Sequence, residues 1–140
     1  MNDQYYMEIA YKEAKKAKNK NEIPVGTVIV ENNKIISKAH NKRDKKNIVT
    51  KHAEIIAIEK ANRKLHNWRL NDCVLYTTLE PCEMCKGVIK ASKIKKVIYA
   101  AASQCTINQE VNQMQIEDAN SIKECEKIIK EMFKKIRNVK

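Results

Sequence analysis

Four side chains in two separated stretches of the sequence could together hold and use a metal ion. The stretch KHAEIIAIE contains His52 and Glu54, and the stretch TTLEPCEMC contains Cys82 and Cys85. One imidazole and two thiolates are ligands that Zn²⁺ accepts, and a set of three leaves the fourth tetrahedral position open to water. Because an open position is typical of catalytic sites, the pattern predicts one Zn²⁺ per chain, held by His52, Cys82 and Cys85.

Glu54 has a different predicted role, as a carboxylate that lies beside the ion without binding it. Zn²⁺ lowers the pKa of a bound water to about 7. Glu54 would take that proton and pass it to a substrate nitrogen and then to departing ammonia, which is hydrolytic deamination of an amidine-type carbon. Residues two positions apart face different sides of a regular helix, so this arrangement requires His52 to lie at the cap of its helix.

Each half of the pattern has an ordinary explanation when it is taken alone. A single CxxC also occurs in structural zinc sites and in redox pairs, and polar residues are common at helix starts. The two halves together, each opening a predicted helix and the second preceded by Pro81, favour a catalytic zinc site. The other residues of these types are expected to be His66 at the surface, Trp68, Cys73 and Cys125 in packing, and His40 and Cys105 without an assigned role.

The hydrophobic pattern predicts the elements that must position these side chains. Helical spacing of apolar residues indicates helices over about 3–18, 53–64, 82–92 and 122–136. Apolar and β-branched runs indicate strands over 25–30, 34–39, 73–79, 95–102 and 111–116. The asparagines of ENN at 31–33 suit a hairpin turn, and strand, helix and strand in succession form a parallel crossover. The predicted fold is an α/β three-layer sandwich, a mixed five-stranded sheet flanked by helices.

Size and composition limit the class of protein. The 140 residues fit one domain, and with only two Gly and two Pro no linker is visible, so we expect a single domain over 1–140. No apolar run approaches the roughly 18 to 20 residues of a membrane span, and no signal-peptide core is present. We therefore expect a cytoplasmic protein without membrane association, and the odd number of cysteines fits a reducing compartment.

The formal net charge of +11 at pH 7 suits binding to a polyanion. Only four of the 28 basic residues are arginines, however, and recognition of phosphate by geometry favours arginine over lysine. Charge alone therefore leaves nucleic-acid binding open.

The chain resembles the cytidine-deaminase superfamily and, within it, the bacterial tRNA-specific adenosine deaminases. The resemblance lies in EIPVGTVIV (22–30), AHN (39–41), HAEIIAIEKA (52–61) and WRLNDCVLYTTLEPCEMC (68–85). It implies that His52, Cys82 and Cys85 are the zinc ligands and that Glu54 is the proton shuttle. The same resemblance implies a set of substrate contacts: Asn41 on the target base, and Pro24, Val25, Gly26 and Ala53 bordering its pocket.

The resemblance also implies a substrate and a partner. Members of this branch are homodimers that convert the wobble adenosine of a tRNA anticodon stem-loop to inosine, with the base extruded into the zinc pocket. After Tyr99 the chain departs from the family, because its segment is shorter and Ser103 stands where an Asp is expected. Two alternatives therefore stay open: a deaminase of a free base or nucleoside, such as guanine or cytosine, and a noncatalytic zinc-binding partner subunit of a deaminase.

Overall fold

The computed structural model describes residues 2–103 and 110–138. Its helices are α1 (Asp3–Asn19), α2 (Arg43–Lys46), α3 (Ala53–Leu65), α4 (Glu83–Ala91) and α5 (Ala119–Asn138). Its strands are β1 (Gly26–Glu31), β2 (Lys34–His40), β3 (Cys73–Leu79), β4 (Lys96–Ala101) and β5 (Gln113–Gln115). In these ranges no helix combines the length and the hydrophobicity needed to cross a membrane.

The five strands form one mixed sheet in the order β2-β1-β3-β4-β5. Strand β1 runs antiparallel to both β2 and β3, whereas β3, β4 and β5 are parallel. The β1–β2 hairpin turns at Asn32 and Asn33, whose φ angles of 48° and 62° are left-handed. Asparagine tolerates this conformation better than most residues, so the predicted turn and the predicted mixed sheet are both confirmed.

Helices cover both faces of the sheet, because successive strand residues point to opposite sides. One apolar cluster joins a first face to α1 and α5, and it includes Val28, Tyr76 and Ile98. The adjacent residues Ile29, Leu75 and Val97 belong to a second cluster, with α3 and α4 on the opposite face. The predicted three-layer arrangement is therefore confirmed.

Gly26 lets α1 lie directly on the start of β1. A Cβ atom at this position would overlap the carbonyl oxygen of Ala10 and would lie 2.6 Å from the amide nitrogen of Ala14. Only glycine allows two backbones to approach so closely. This contact fixes the chain immediately after Val25, a residue that lines the candidate active-site pocket.

The short helix α2 was not predicted. Its first turn is capped by Glu22, a buried residue whose carboxylate accepts hydrogen bonds from the backbone N–H groups of Asp44 (3.1 Å) and Lys45 (2.6 Å). A cap supplied from a distant part of the chain leaves no local signal of the usual kind. Helix α2 therefore depends on a tertiary contact.

Other differences from the sequence predictions are small. Helix α5 begins at Ala119, before the predicted 122, because the carboxylate of Asp118 accepts the N–H (3.0 Å) and hydroxyl (2.7 Å) hydrogen bonds of Ser121. Strand β5 is shorter than predicted.

The expectation that Trp68 packs in the interior was wrong, since it is 54% exposed. Cys73 and Cys125 are buried and His66 is exposed, as expected, and Cys105 lies outside the described residues.

Candidate active site

The side chains of His52, Cys82 and Cys85 converge on one point. Their ligand atoms all lie within 4.8 Å of one another. The Nδ1 atom of His52 is 3.7 Å from the Sγ of Cys82 and 3.5 Å from the Sγ of Cys85. Among the described residues this is the one group of three potential ligands found so close together.

Two helix starts bring these ligands together. His52 is the N-cap of α3, with extended backbone angles (φ −79°, ψ 152°), as the sequence analysis required. Cys82 is the N-cap of α4, and Cys85 lies in the first turn of that helix. Pro81 directly precedes this cap. The positive end of each helix dipole therefore points towards the site and favours thiolates and other anions there.

The two thiols differ in proton affinity. Hydrogen bonds from Cys85 and His52 lower the pKa of Cys82 to about 4. The pKa of Cys85 is raised, because the Cys85 thiol donates a hydrogen bond to Cys82 and is buried. One sulfur is therefore already poised as a thiolate, as a metal ligand must be. Two sulfurs and one imidazole nitrogen at this spacing suit Zn²⁺ and leave its fourth position without a protein ligand in the described chain.

Glu54 lies beside the ligands without being one of their group. Its side chain is almost fully buried, at 4% exposure. Burial raises the pKa of Glu54 to about 7, and the nearby charge of Cys82 adds to the rise. A carboxyl group with this pKa can both accept and donate a proton near neutral pH.

A pocket of about 190 Å³ opens over these residues. Of the predicted substrate contacts, Asn41, Val25 and Ala53 line it together with His52, Glu54 and Cys82. Pro24 and Gly26 are not among its described lining residues. The lining residues that sequence reasoning missed are Ile23, Arg43, Leu79, Glu80, Ser103 and Phe133.

Asn41 is held in place at the pocket wall. Its backbone N–H donates to the carbonyl of Val25 (3.2 Å), and its side-chain Oδ1 accepts the backbone N–H of Arg43 (3.2 Å). These two bonds fix the amide group. The Nδ2 atom, for which the described residues provide no partner, is the donor that a substrate could use.

Glu80 is a second carboxylate in the pocket wall, and its oxygens are fully engaged. Oε1 accepts the backbone N–H of Ser103 (3.1 Å), and Oε2 accepts hydrogen bonds from Gln113 Nε2 (2.8 Å) and the buried ammonium of Lys86 (3.4 Å). Burial raises the pKa of Glu80, but these hydrogen bonds and the charge of Lys86 lower it below its ordinary value. The sequence signal for Glu80 was its position directly before Pro81 in TTLEPCEMC.

Most of the chain is similar to a known protein family. Residues 1–101 match the model of the cytidine and deoxycytidylate deaminase zinc-binding region. A tRNA-specific adenosine deaminase of Bacillus subtilis (strain 168) is 46% identical over 99 residues, which are 71% of this chain and 62% of that protein. The match thus spans less than two thirds of that relative's length.

Two further similarities extend over more of the chain. A tRNA-specific adenosine deaminase of Aquifex aeolicus (strain VF5) is 38% identical over 152 aligned positions, which cover 99% of this chain and 98% of that protein. A solved structure from a study of A-to-I editing by tRNA:A34 deaminases superimposes with a TM-score of 0.80 at 30% identity, covering 89% of this chain and 99% of that one. The chain therefore belongs to the cytidine and deoxycytidylate deaminase family, and the two relatives compared above are tRNA-specific adenosine deaminases.

Proposed function

We propose that this protein is a zinc-dependent hydrolase that converts adenosine to inosine at the wobble position of a tRNA anticodon. The observation that carries the proposal is the convergence of His52, Cys82 and Cys85 within 4.8 Å, with the buried Glu54 beside them in one pocket. The tRNA-specific relatives and the similar A34 deaminase structure support the choice of substrate.

The chemistry follows from the roles of the residues. His52, Cys82 and Cys85 would hold Zn²⁺, which when bound supplies an activated water. Glu54 takes one proton from that water and delivers it to the ring nitrogen of the base. The carbon that gains the oxygen then loses its amino group, and Glu54 delivers the second proton to the departing ammonia. One water is consumed and one ammonia is released for each inosine formed.

The pocket supports recognition of one extruded base. Its volume of about 190 Å³ has no room for a paired stem, so the target nucleotide must leave its stack to enter. We assign Asn41 Nδ2 as a hydrogen-bond donor to the base and Val25 and Ala53 as contacts of its faces and edge. Pro24 and Gly26 act indirectly, by setting the path of the chain on either side of Val25.

We propose that the whole chain is one domain and that it functions as a homodimer. Strand β5 pairs with β4 and α5 packs against the sheet, so residues beyond the matched family region share its core. Exposed hydrophobic side chains, namely Ile48 (44%), Val49 (69%) and Trp68 (54%), are candidates for the subunit contact. Light scattering tests the dimer, and a monomer at micromolar concentration would contradict it.

We place the protein in the cytoplasm, where thiols stay reduced.

A substrate comparison tests the proposed reaction. Purified zinc-loaded protein is incubated with an anticodon stem-loop containing A34, with the same RNA carrying its adenosine at the next loop position, and with free adenosine, guanine and cytosine. We expect inosine in the A34 stem-loop and little ammonia from the others. Ammonia from a free base without inosine in RNA would favour the free-base alternative, and no ammonia from any substrate would favour the noncatalytic subunit.

A further inference from the structure

Five lysines form a basic patch around Lys42, next to the pocket residues Asn41 and Arg43. Lys42 directly follows the pocket residue Asn41, and Lys45 and Lys46 lie in α2, which begins at the pocket residue Arg43. The other two are contributed by neighbouring elements. The patch is defined as Lys20, Lys42, Lys45, Lys46 and Lys60.

Two contacts show that Lys20 and Lys60 reach this part of the surface. The Nζ of Lys20, in the connection between α1 and β1, lies 3.4 Å from the Nε2 of His40, two residues before Lys42. The Nζ of Lys60, in α3, donates to the carbonyl of Lys38 on the edge strand β2 (3.0 Å). Three separate parts of the chain therefore bring ammonium groups close to Lys42, which follows the pocket residue Asn41.

Carboxylates do not neutralise this charge. No ion pair in the described chain includes any of the five lysines. Acids on the same and neighbouring elements are engaged with other groups: Glu13 binds Lys16 and His40, Glu22 caps α2, Asp44 pairs with Arg43, and Glu59 pairs with Lys51. Burial lowers the pKa of Lys42, and the charges of the other four patch lysines lower it further. The mutual repulsion of these five charges is unfavourable in the free protein, and a bound anion would relieve it.

We infer that the basic patch binds the phosphates of the RNA strand that delivers the target base into the pocket. The inference rests on the proposed function and adds the location of the backbone contact. A pocket that admits one base leaves the rest of the RNA on the surface, and the patch starts one residue from Asn41. Lysine provides charge without fixed geometry, which suits a sequence-independent contact with a backbone. Each contact releases a counterion and makes binding dependent on salt.

A matched pair of triple variants tests the inference. Lys42→Gln/Lys45→Gln/Lys46→Gln removes three patch charges. The control, Lys90→Gln/Lys93→Gln/Lys95→Gln, removes three charges from exposed lysines at the far end of α4, the end opposite Cys82. Both variants have the same net charge, so any difference between them comes from where the charge lies. Circular dichroism verifies that both are folded.

The measurement is the dissociation constant of the A34 stem-loop at several salt concentrations, by fluorescence anisotropy. For the patch variant we expect the slope of log Kd against log[salt] to fall by about 2 and Kd near physiological salt to rise at least about tenfold. The control variant should keep a Kd and a salt slope close to those of wild type. Equal changes in both variants, or wild-type binding by the patch variant, would overturn the inference. The patch variant could also lose as much affinity for a blunt RNA duplex that has the same number of phosphates. That result would overturn the inference, because the patch would then be a general polyanion surface.

Failure of the proposed function is distinguishable from failure of this inference. Binding is measured without turnover, so a protein that binds the stem-loop through the patch but forms no inosine would retain the inference and refute the reaction. Where wild type does form inosine, the patch variant should show a raised KM with a nearly unchanged kcat, since the pocket and the zinc ligands are intact. A lowered kcat at saturating RNA with an unchanged KM would contradict a role in binding.

Discussion

Two carboxylates in the pocket have opposite surroundings and, as a result, different protonation. Glu54 is almost fully buried, and burial outweighs the groups that stabilise its charge, so its pKa is raised to about 7. Glu80 receives three hydrogen bonds, one of them from a buried ammonium, and its pKa is lowered. Environments that separate the pKa values of neighbouring acids commonly mark which one exchanges protons during catalysis. Glu54 is suited to moving protons, whereas Glu80 is suited to holding the pocket wall.

Glu54→Gln should strongly reduce turnover without releasing the metal. The amide keeps the volume of the buried side chain but cannot accept a proton, so we expect kcat to fall by about 10²–10⁴. Zinc content, measured by elemental analysis of the same sample, should equal that of wild type, because Glu54 is outside the ligand group. Loss of zinc in this variant would show that Glu54 is a ligand and would refute its role as a proton shuttle.

Glu80→Gln should destabilise the protein through Lys86. The Lys86 ammonium is buried, and Glu80 lies 3.4 Å away as its ion-pair partner. Removing one partner of a buried pair costs about 3 kcal/mol in the free energy of unfolding, because the other charge is left unpaired. Urea unfolding of the zinc-loaded protein measures the loss. Adding Lys86→Met should recover much of it, and a double variant less stable than Glu80→Gln would contradict this explanation.

At the scale of elements, a buried hydrogen-bonded pair connects α1 to the end of β2. His40 Nδ1 lies 3.1 Å from Oε1 of Glu13, whose Oε2 accepts a hydrogen bond from Lys16 (2.6 Å). Both Glu13 and His40 are buried, and His40 directly precedes Asn41. This pair therefore joins the packing of α1 to the position of a pocket residue.

The Glu13–His40 pair should make stability depend on pH. Burial lowers the pKa of His40, although its hydrogen bond to Glu13 opposes this. Below its unfolded pKa of about 6.5, the unfolded chain therefore binds a proton that the folded chain resists, and the free energy of unfolding falls as pH falls. The lowered pKa of Glu13 acts in the same direction at lower pH, since burial is outweighed there by the hydrogen bonds from Lys16 and His40.

The prediction concerns the difference in the free energy of unfolding between pH 7 and pH 5, measured in urea. The raised pKa of Glu54 stabilises the folded chain as pH falls, but it does so equally in both proteins. Relative to wild type, His40→Gln should therefore lose less stability, or gain more, over this interval, because the group that opposes folding at low pH is gone. His66→Asn, a change at an exposed helix end with left-handed backbone, is the control and should behave as wild type. An identical loss in wild type and His40→Gln would contradict the assignment.

Local sequence signals explain which elements could be predicted. The asparagines at the β1–β2 turn and the position of His52 before an amphipathic helix are short-range features, and both predictions were confirmed. Helix α2 could not be predicted, because its cap, Glu22, reaches it from another part of the chain. Trp68 was expected to be buried from its residue type alone, and type does not determine exposure at a loop.

At the scale of the whole molecule, the same distinction separates the zinc site from the rest of the pocket. The ligands and Glu54 lie in two short motifs, so their spacing could be interpreted before the fold was known. Arg43, Ser103 and Phe133 reach the pocket from three distant positions. Only the packing of α5 and the order of the strands bring such residues together, and neither is encoded in a local pattern.

The most direct measurement of the proposed function is inosine formation in an A34 stem-loop, by mass spectrometry, with zinc counted in the same sample. Protein carrying one Zn²⁺ per chain should convert A34 to inosine. Protein stripped by a chelator should not, and added Zn²⁺ should restore conversion. Conversion that is unaffected by metal removal, or a zinc-loaded protein that leaves A34 unchanged, would contradict the proposed function.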